Sequence, residues 1–281
     1  MKITYKEFIK QVEENKFKVE EVSYSKLIDK KNHAQMMYGN IKKDADNYNV
    51  NSVRYLFNEM CEEYGEIIDI NTYMKEYKER VKQAIEADNR LSTLCYEEKK
   101  VYRDIMELRG YSAYKSNLAE LSFSLYCEEY LSDTYEVVAD QKCDGILGVD
   151  VVLLHKEKDV AHYFHITKNT KFSMNKLKRK SGKEVTVIDK RIKVLFDTED
   201  EQRRQHVRRF KNHVLALYQD GEYRGNKIIN GVYIFKPAYI EELIEDNFGL
   251  CDKKQYEELE HLEYSKKQIR NYGGRTITFY E

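Results

Sequence analysis

GVDVVLLHKEKDVAHYFHITKNTKFS, residues 148–173, is the stretch on which the reading of this chain turns. Its pattern predicts two strands, 148–156 and 159–168, joined by a tight polar turn. The first strand carries one acid, Asp150, in an otherwise apolar run, and the second ends in Lys168. A buried charge needs a partner. The pair is therefore either a working site or a structural ion pair between strand ends. On the second strand, alternation puts Phe164, Ile166 and Lys168 on one face and His165 and Thr167 on the other.

Outward from this hairpin, the chain changes character near residue 110. Before it, helical spacing recurs, as in VNSVRYLFNEMCEEYGEII, where Val53, Leu56, Met60 and Tyr64 fall on one side. LSTLCYEEKKVYRDIMELRG predicts a further helix ended by Gly110 as its C-cap. A helix over 112–133 follows, with Leu118, Leu121, Leu125 and Tyr126 on its apolar side. Next come strands at 135–140, 148–156 and 159–168, a basic irregular stretch, and a strand pair within EVTVIDKRIKVLF. A long helix is predicted over 200–219, with Val207, Phe210, Val214 and Leu217 as its core side. IINGVYIFKP is expected as a strand, two helices follow, and RTITFYE closes the chain as a short strand.

Helix, three strands, helix, strand, with an acid on the first helix and the second strand and a lysine ending the third, resembles the PD-(D/E)xK nuclease superfamily. The resemblance covers roughly residues 112–237. It implies an α/β fold, a restriction-endonuclease-like mixed sheet flanked by helices, over 111–281, with a helical N-terminal region over 1–110. Asp150 matches the family's strand aspartate, Lys168 its lysine, and Glu120, in NLAELSF, the acid of the preceding helix. The family's second strand acid falls on Ile166, which cannot bind a metal. The implied activity is a metal-dependent endonuclease acting on DNA, in a restriction, phage or mobile-element setting. The alternative is a nuclease-like fold without catalysis that binds nucleic acid or a protein.

These residue types belong together chemically. Phosphodiester hydrolysis is served by a divalent ion that lowers the pKa of a water and neutralises the phosphate. Mg²⁺ or Mn²⁺ takes oxygen ligands, often one or two carboxylates completed by water and substrate. With Ile166 in the acid's place, Asp150 and Glu120 are the expected ligands, and Asp144 in KCDGILGVD is a second route. Lysine beside the ion offsets transition-state charge. Each residue also has a plain reading: Glu120 as a solvent-facing helix residue, His165 as a satisfied core or surface histidine.

A polyanion partner finds local support. Lys171, Lys176, Lys178, Arg179, Lys180 and Lys183 crowd one stretch directly after Lys168. Arg204, Arg208 and Lys211 are expected as an exposed stripe on the following helix, and Lys171, Lys178 and Arg179 with them as nucleic-acid contacts. A charge run is often only a solvated face. Net charge over the 281 residues is −1, so the signal is local. The N-terminal helices are expected to supply no catalytic carboxylate; a protein partner through them and a homodimer both stay open.

Composition narrows the class. Charged residues make up 35% and hydrophobic ones 41%, as in a globular protein with a charged surface. Cys61, Cys95, Cys127, Cys143 and Cys251 show no CxxC or zinc spacing and are expected as reduced thiols. The first residues are too charged for a signal peptide, and no apolar run nears the ~20 residues that span a bilayer. A cytoplasmic protein is expected. GxxxxGK[ST], GxGxxG after a strand, GxSxG and HExxH are absent from the sequence.

Overall fold

Local signals start and stop the helices. Thr4 and Glu7 form a reciprocal capping box for α1 (Tyr5–Glu13), and the Asp69 carboxylate accepts from Asn71 N and Thr72 N to start α5 (Ile70–Ala87). Gly65, at φ +69°, ends α4 (Leu56–Tyr64) in the left-handed region that glycine enters freely. Between α1 and α4 lie α2 (Glu21–Met37) and α3 (Gly39–Asn47), and α6 (Tyr96–Tyr130) follows α5. This computed structural model describes residues 3–19, 21–140, 143–144, 148–170, 173, 185–188, 191–194, 212–219, 226–260, 270–272 and 275–277.

The chain divides into two units, Met1–Leu118 with Ile229–Val232, and Ala119–Ile228 with Tyr233–Glu281. In the first, α5 buries Ile70, Tyr73, Met74, Tyr77, Val81 and Ile85, the three-and-four spacing of one helix face. Rings of Phe57, Tyr73, Tyr77 and Tyr114 pack with centroids 5.4–6.2 Å apart. The buried Tyr114 hydroxyl is satisfied by donating to Ile68 O at 2.8 Å. Gly110 does not end a helix, contrary to the sequence expectation. The 35-residue α6 runs straight through it. A Cβ there would lie 2.8 Å from the Tyr77 ring and 3.1 Å from Met74 Cε. The glycine serves the close approach of α5 and α6.

In the second unit, β1 (Tyr135–Val138), β2 (Val151–His155), β3 (Ala161–Lys168), β4 (Val185–Ile188), β5 (Arg191–Val194) and β6 (Val214–Tyr218) form a mixed sheet in the order β1-β2-β3-β6-β5-β4. β1, β2 and β3 run antiparallel in turn, and β3 is parallel to β6. β5 meets β6 at Arg191–Val214 only, among the described residues. The fold is therefore mixed α/β. The helix expected over 200–219 is corrected at its end, since Val214 and Leu217 lie in strand β6. VLALY is buried on all five residues, and a continuous apolar run carries no period to tell a doubly covered strand from a helix. IINGVYIFKP is likewise a hairpin, with β7 (Lys227–Ile229) and β8 (Val232–Ile234) joined by Asn230 and Gly231 at φ +50° and +83°. At its tip Asn230 Nδ2 donates to Val12 O and Glu13 O, satisfying carbonyls at the end of α1. Helices α7 (Pro237–Asp246) and α8 (Lys254–Glu260) and the strand pair β9 (Arg270–Tyr272) and β10 (Arg275–Ile277) complete the chain.

Both faces of β2 and β3 are covered. On one, Phe123 of α6 packs on Phe164 at 4.9 Å and on Phe235 at 5.3 Å. His162 lies on this face at 1% exposure, among Tyr135, Phe164 and Phe248. Neither of its ring nitrogens has a hydrogen-bond partner among the described residues. On the other face Tyr163 packs with Cys143, Val149, Val152, Leu154 and Ala161. There the Tyr163 ring stacks on His213 at 5.0 Å, and its hydroxyl donates to Asp252 O and accepts from Tyr256 N.

Two outcomes follow from this packing. Gly110→Ala should lower stability by about 1 kcal/mol or more in denaturant unfolding, because overpacking against the buried Tyr77 outweighs the ~1 kcal/mol of helix propensity that alanine adds. A stabilised variant would show that the α5–α6 approach is not tight. Acid should also destabilise the protein. Burial, with the nearby His155 adding to it, lowers the pKa of His162 to about 4, and burial lowers that of His213 to about 4. Unfolded histidine titrates near ~6.5, so the unfolded chain takes up these protons first. Stability is full above that pH and is lost as pH falls toward 4, by up to roughly 3 kcal/mol for each ring. His162→Leu should be at least as stable at neutral pH and lose less between pH 7 and 4, measured by urea unfolding. Equal acid sensitivity in the variant would remove His162 from this account.

Candidate functional site

The β2–β3 pairing stops at Val151–Phe164, and Asp150 sits at that point. Gly148, at φ +69°, turns the chain into the strand, and Cys143 O accepts from Gly148 N at 2.9 Å and Val149 N at 3.4 Å. Asp150 N donates to Phe164 O at 2.9 Å. Asp150 and Val151 thus share Phe164 as partner, the two-against-one arrangement of a β-bulge. The Asp150 carboxylate then reaches along β3, where Oδ2 accepts from Ile166 N at 2.6 Å. It occupies the strand edge that β2 has left, two residues before Lys168.

Lys168 ends β3, half-buried, in register with Tyr218 of the parallel β6. Ile166 is buried at 5% exposure, on the same side of the strand as Phe164. Glu120 comes from α6, half-buried, one turn before Phe123. The bond from Tyr135 N to Leu131 O closes a short turn that reverses the chain from α6 into β1. β1 is antiparallel to β2 and β2 to β3, so β1 and β3 share a direction and α6 runs against both. With Phe123 on Phe164, one turn back along α6 moves toward the carboxyl end of β3. Glu120 is therefore carried to the end of the sheet that holds Asp150 and Lys168.

His165 stays on the opposite face, as alternation predicts. Its Nε2 lies 3.0 Å from His213 Nδ1, and His213 Nε2 lies 3.1 Å from Gln255 Oε1. Gln255 Oε1 can only accept, so His213 carries its proton on Nε2 and receives the His165 proton at Nδ1. The chain of bonds ties β3 to α8 and leaves His165 no part in the Asp150 site. Asp144, the second candidate ligand, sits in the loop before β2, its N–H donating to Asp140 O at 3.3 Å.

Among the described residues no group of three or more His, Cys, Asp or Glu side chains converges as a metal-holding cluster. Among the described residues, the carboxylates placed toward this end of the sheet are Asp150, with one oxygen bonded to Ile166 N, and Glu120 by the run of α6. Such a set fits a hard ion that completes its shell with water and phosphate oxygens, and does not fit a zinc-type or all-protein cage. A shallow cleft of about 350 Å³ lies elsewhere, lined by Glu128, Ser132, Tyr135, Glu136, Val137 and Lys156 at the start of β1.

The expected nucleic-acid contacts Lys171, Lys178, Arg179, Arg204, Arg208 and Lys211 lie outside the described residues. Sequence reasoning passed over two amides just beyond the strands. Asn169 N donates to Tyr218 O at 2.6 Å, and Asn169 Nδ2 lies 3.4 Å from Gln219 Oε1. Their signal was only that each follows the last residue of one of two strands that turn out to be parallel neighbours. No helix among the described residues is long and apolar enough to cross a membrane. In comparisons with protein-family models, curated proteins and solved structures, nothing matches this chain.

Proposed function

We propose that this protein is a metal-dependent DNA endonuclease of the PD-(D/E)xK kind, with a restriction-endonuclease-like α/β unit. The observation that carries the reading is the Asp150 carboxylate held on β3 at Ile166, two residues before Lys168. From just before β2, Asp150, the motif's first acid, sets its carboxylate against β3 at Ile166, the position where the motif's second acid is missing. The order helix, three strands, strand in a mixed sheet is consistent with it, as is Glu120 on the side of α6 that leads to the same end.

Asp150 and Glu120 would hold Mg²⁺ or Mn²⁺, and a bound ion of this kind lowers the pKa of a water and neutralises phosphate charge. Lys168, on the same face of β3 as Ile166, orients the attacking oxygen and offsets charge in the transition state. Ile166 and Phe164 keep the strand's own contribution apolar, which excludes bulk water beneath the two carboxylates. A restriction, phage or mobile-element role belongs to the same proposal.

One observation favours a second reading. Ile166 is buried where an acid is expected, and Asp150 commits an oxygen to a backbone N–H. A nuclease-like fold that grips nucleic acid without cutting it has no need of a third carboxylate.

Thermal unfolding with and without Mn²⁺, alongside nicking of supercoiled DNA, separates these readings. Wild type should gain a few degrees in Mn²⁺, as preferential binding to the folded state requires. Asp150→Asn and Glu120→Gln should lose that gain and the nicking together. If Mn²⁺ leaves wild type unchanged and Asp150→Asn only melts earlier, the carboxylate is a strand cap and the metal reading fails. DNA retained without nicking would then support the second reading.

A further inference from the structure

The parallel pair β3–β6 ends in a polar edge that the three site residues do not use. Asn169 and Gln219 stand one residue beyond Lys168 and Tyr218, which are in register. The short bond from Asn169 N to Tyr218 O keeps the two chain ends together past the last strand residues. Asn169 Nδ2 donates to Gln219 Oε1 at 3.4 Å. That bond decides which way the Gln219 amide faces. Its oxygen is turned to Asn169, so its two N–H donors on Nε2 are turned away, and they have no protein partner among the described residues. Asn169 is exposed and Gln219 half-buried, so the donors are both positioned and reachable.

Resting on the nuclease reading, we infer that Gln219 Nε2 takes a phosphate oxygen of the nucleic-acid strand next to the phosphate held at Lys168, with Asn169 as the residue that positions it. Donor groups aimed outward at a sheet edge that also carries a lysine select an acceptor-rich anion. Side chains alternate across the sheet, so Lys168 and the residues one step beyond it reach opposite sides of the carboxyl edge. A single phosphodiester cannot touch both sides. A polynucleotide strand crossing the edge can, with one phosphate at Lys168 and the neighbouring one at Gln219. Carboxyl ends of parallel strands are also where α/β sheets offer a crevice to ligands. The site therefore prefers a polymer over a small phosphodiester, and Gln219 carries part of that preference.

The test uses the full chain, a labelled DNA oligonucleotide for binding, and bis(p-nitrophenyl) phosphate with Mn²⁺ as a one-phosphate substrate. Gln219→Leu should weaken oligonucleotide binding by roughly tenfold, the loss of one hydrogen bond to a charged group, and Gln219→Glu by more. Asn169→Ala, which frees the Gln219 amide to rotate, should weaken it less. All three should leave the unfolding midpoint and any turnover of the small substrate unchanged. Unchanged oligonucleotide affinity in Gln219→Glu and Asn169→Ala, with wild type binding normally, would overturn the Gln219 assignment and leave the nuclease reading standing. Equal loss on the small substrate would overturn the neighbouring-phosphate placement. If wild type binds no nucleic acid even at low salt, the nuclease reading falls, and this inference with it.

Discussion

Strand β3 is covered on both faces, so each of its backbone N–H and C=O groups needs a partner within the protein. Even-numbered residues turn those groups toward β2 and odd-numbered ones toward β6, as the bonds at Phe164, Ala161 and Asn169 show. β2 pairs with the first half of the strand, through Phe164, and β6 with the second half, from Phe164 onward. Each half is therefore left with one edge to close by other means. At the start, Ala161 N donates to Cys251 O at 3.0 Å. Toward the end, Ile166 N donates to the Asp150 carboxylate. The staggered pairing makes a side-chain acceptor necessary at that amide.

That constraint links stability and the site. A carboxylate accepting a backbone N–H at a strand edge is a structural element whatever else it does. Glu120, on α6, is carried to the same end of the sheet. The cost of unpaired groups in a covered sheet fixes where the acid must stand. Chemistry at that place then depends on what else the helix and β6 bring to the same end.

The other face and the first unit follow the same economy of satisfied polar groups inside apolar packing. Tyr163, His213 and Gln255 bind α8 to the sheet through directed bonds. Buried hydroxyls are satisfied in the same way, Tyr114 donating to Ile68 O within the first unit and Tyr239 of α7 accepting from Leu217 N at 3.0 Å. The Tyr239 hydroxyl meets β6 at Leu217, beyond the described β5–β6 pair at Arg191–Val214. His162 departs from it, as do Gln11 Oε1, Asn226 Nδ2 and Asn247 Oδ1; its imidazole is held neutral among rings with neither nitrogen bonded among the described residues.

By itself the sequence determined the hairpin of β2 and β3, the side on which Ile166 and Lys168 fall, and the opposite placement of His165. These rest on alternation over a few residues, which local sterics impose wherever a strand forms. It also determined the strand pair within EVTVIDKRIKVLF, from two short runs rich in β-branched residues. Tertiary structure decided the rest. VLALY became a strand because β3 was there to pair with it, and a run apolar on every residue has no period to announce that. Gly110 stayed inside a helix because Tyr77 needed its missing side chain. The Asp150 carboxylate found Ile166 N, and Asn169 found Gln219, across separations of 16 and 50 residues. Such partners are chosen by where pairing stops and which strands become neighbours, and no spacing along the chain encodes that.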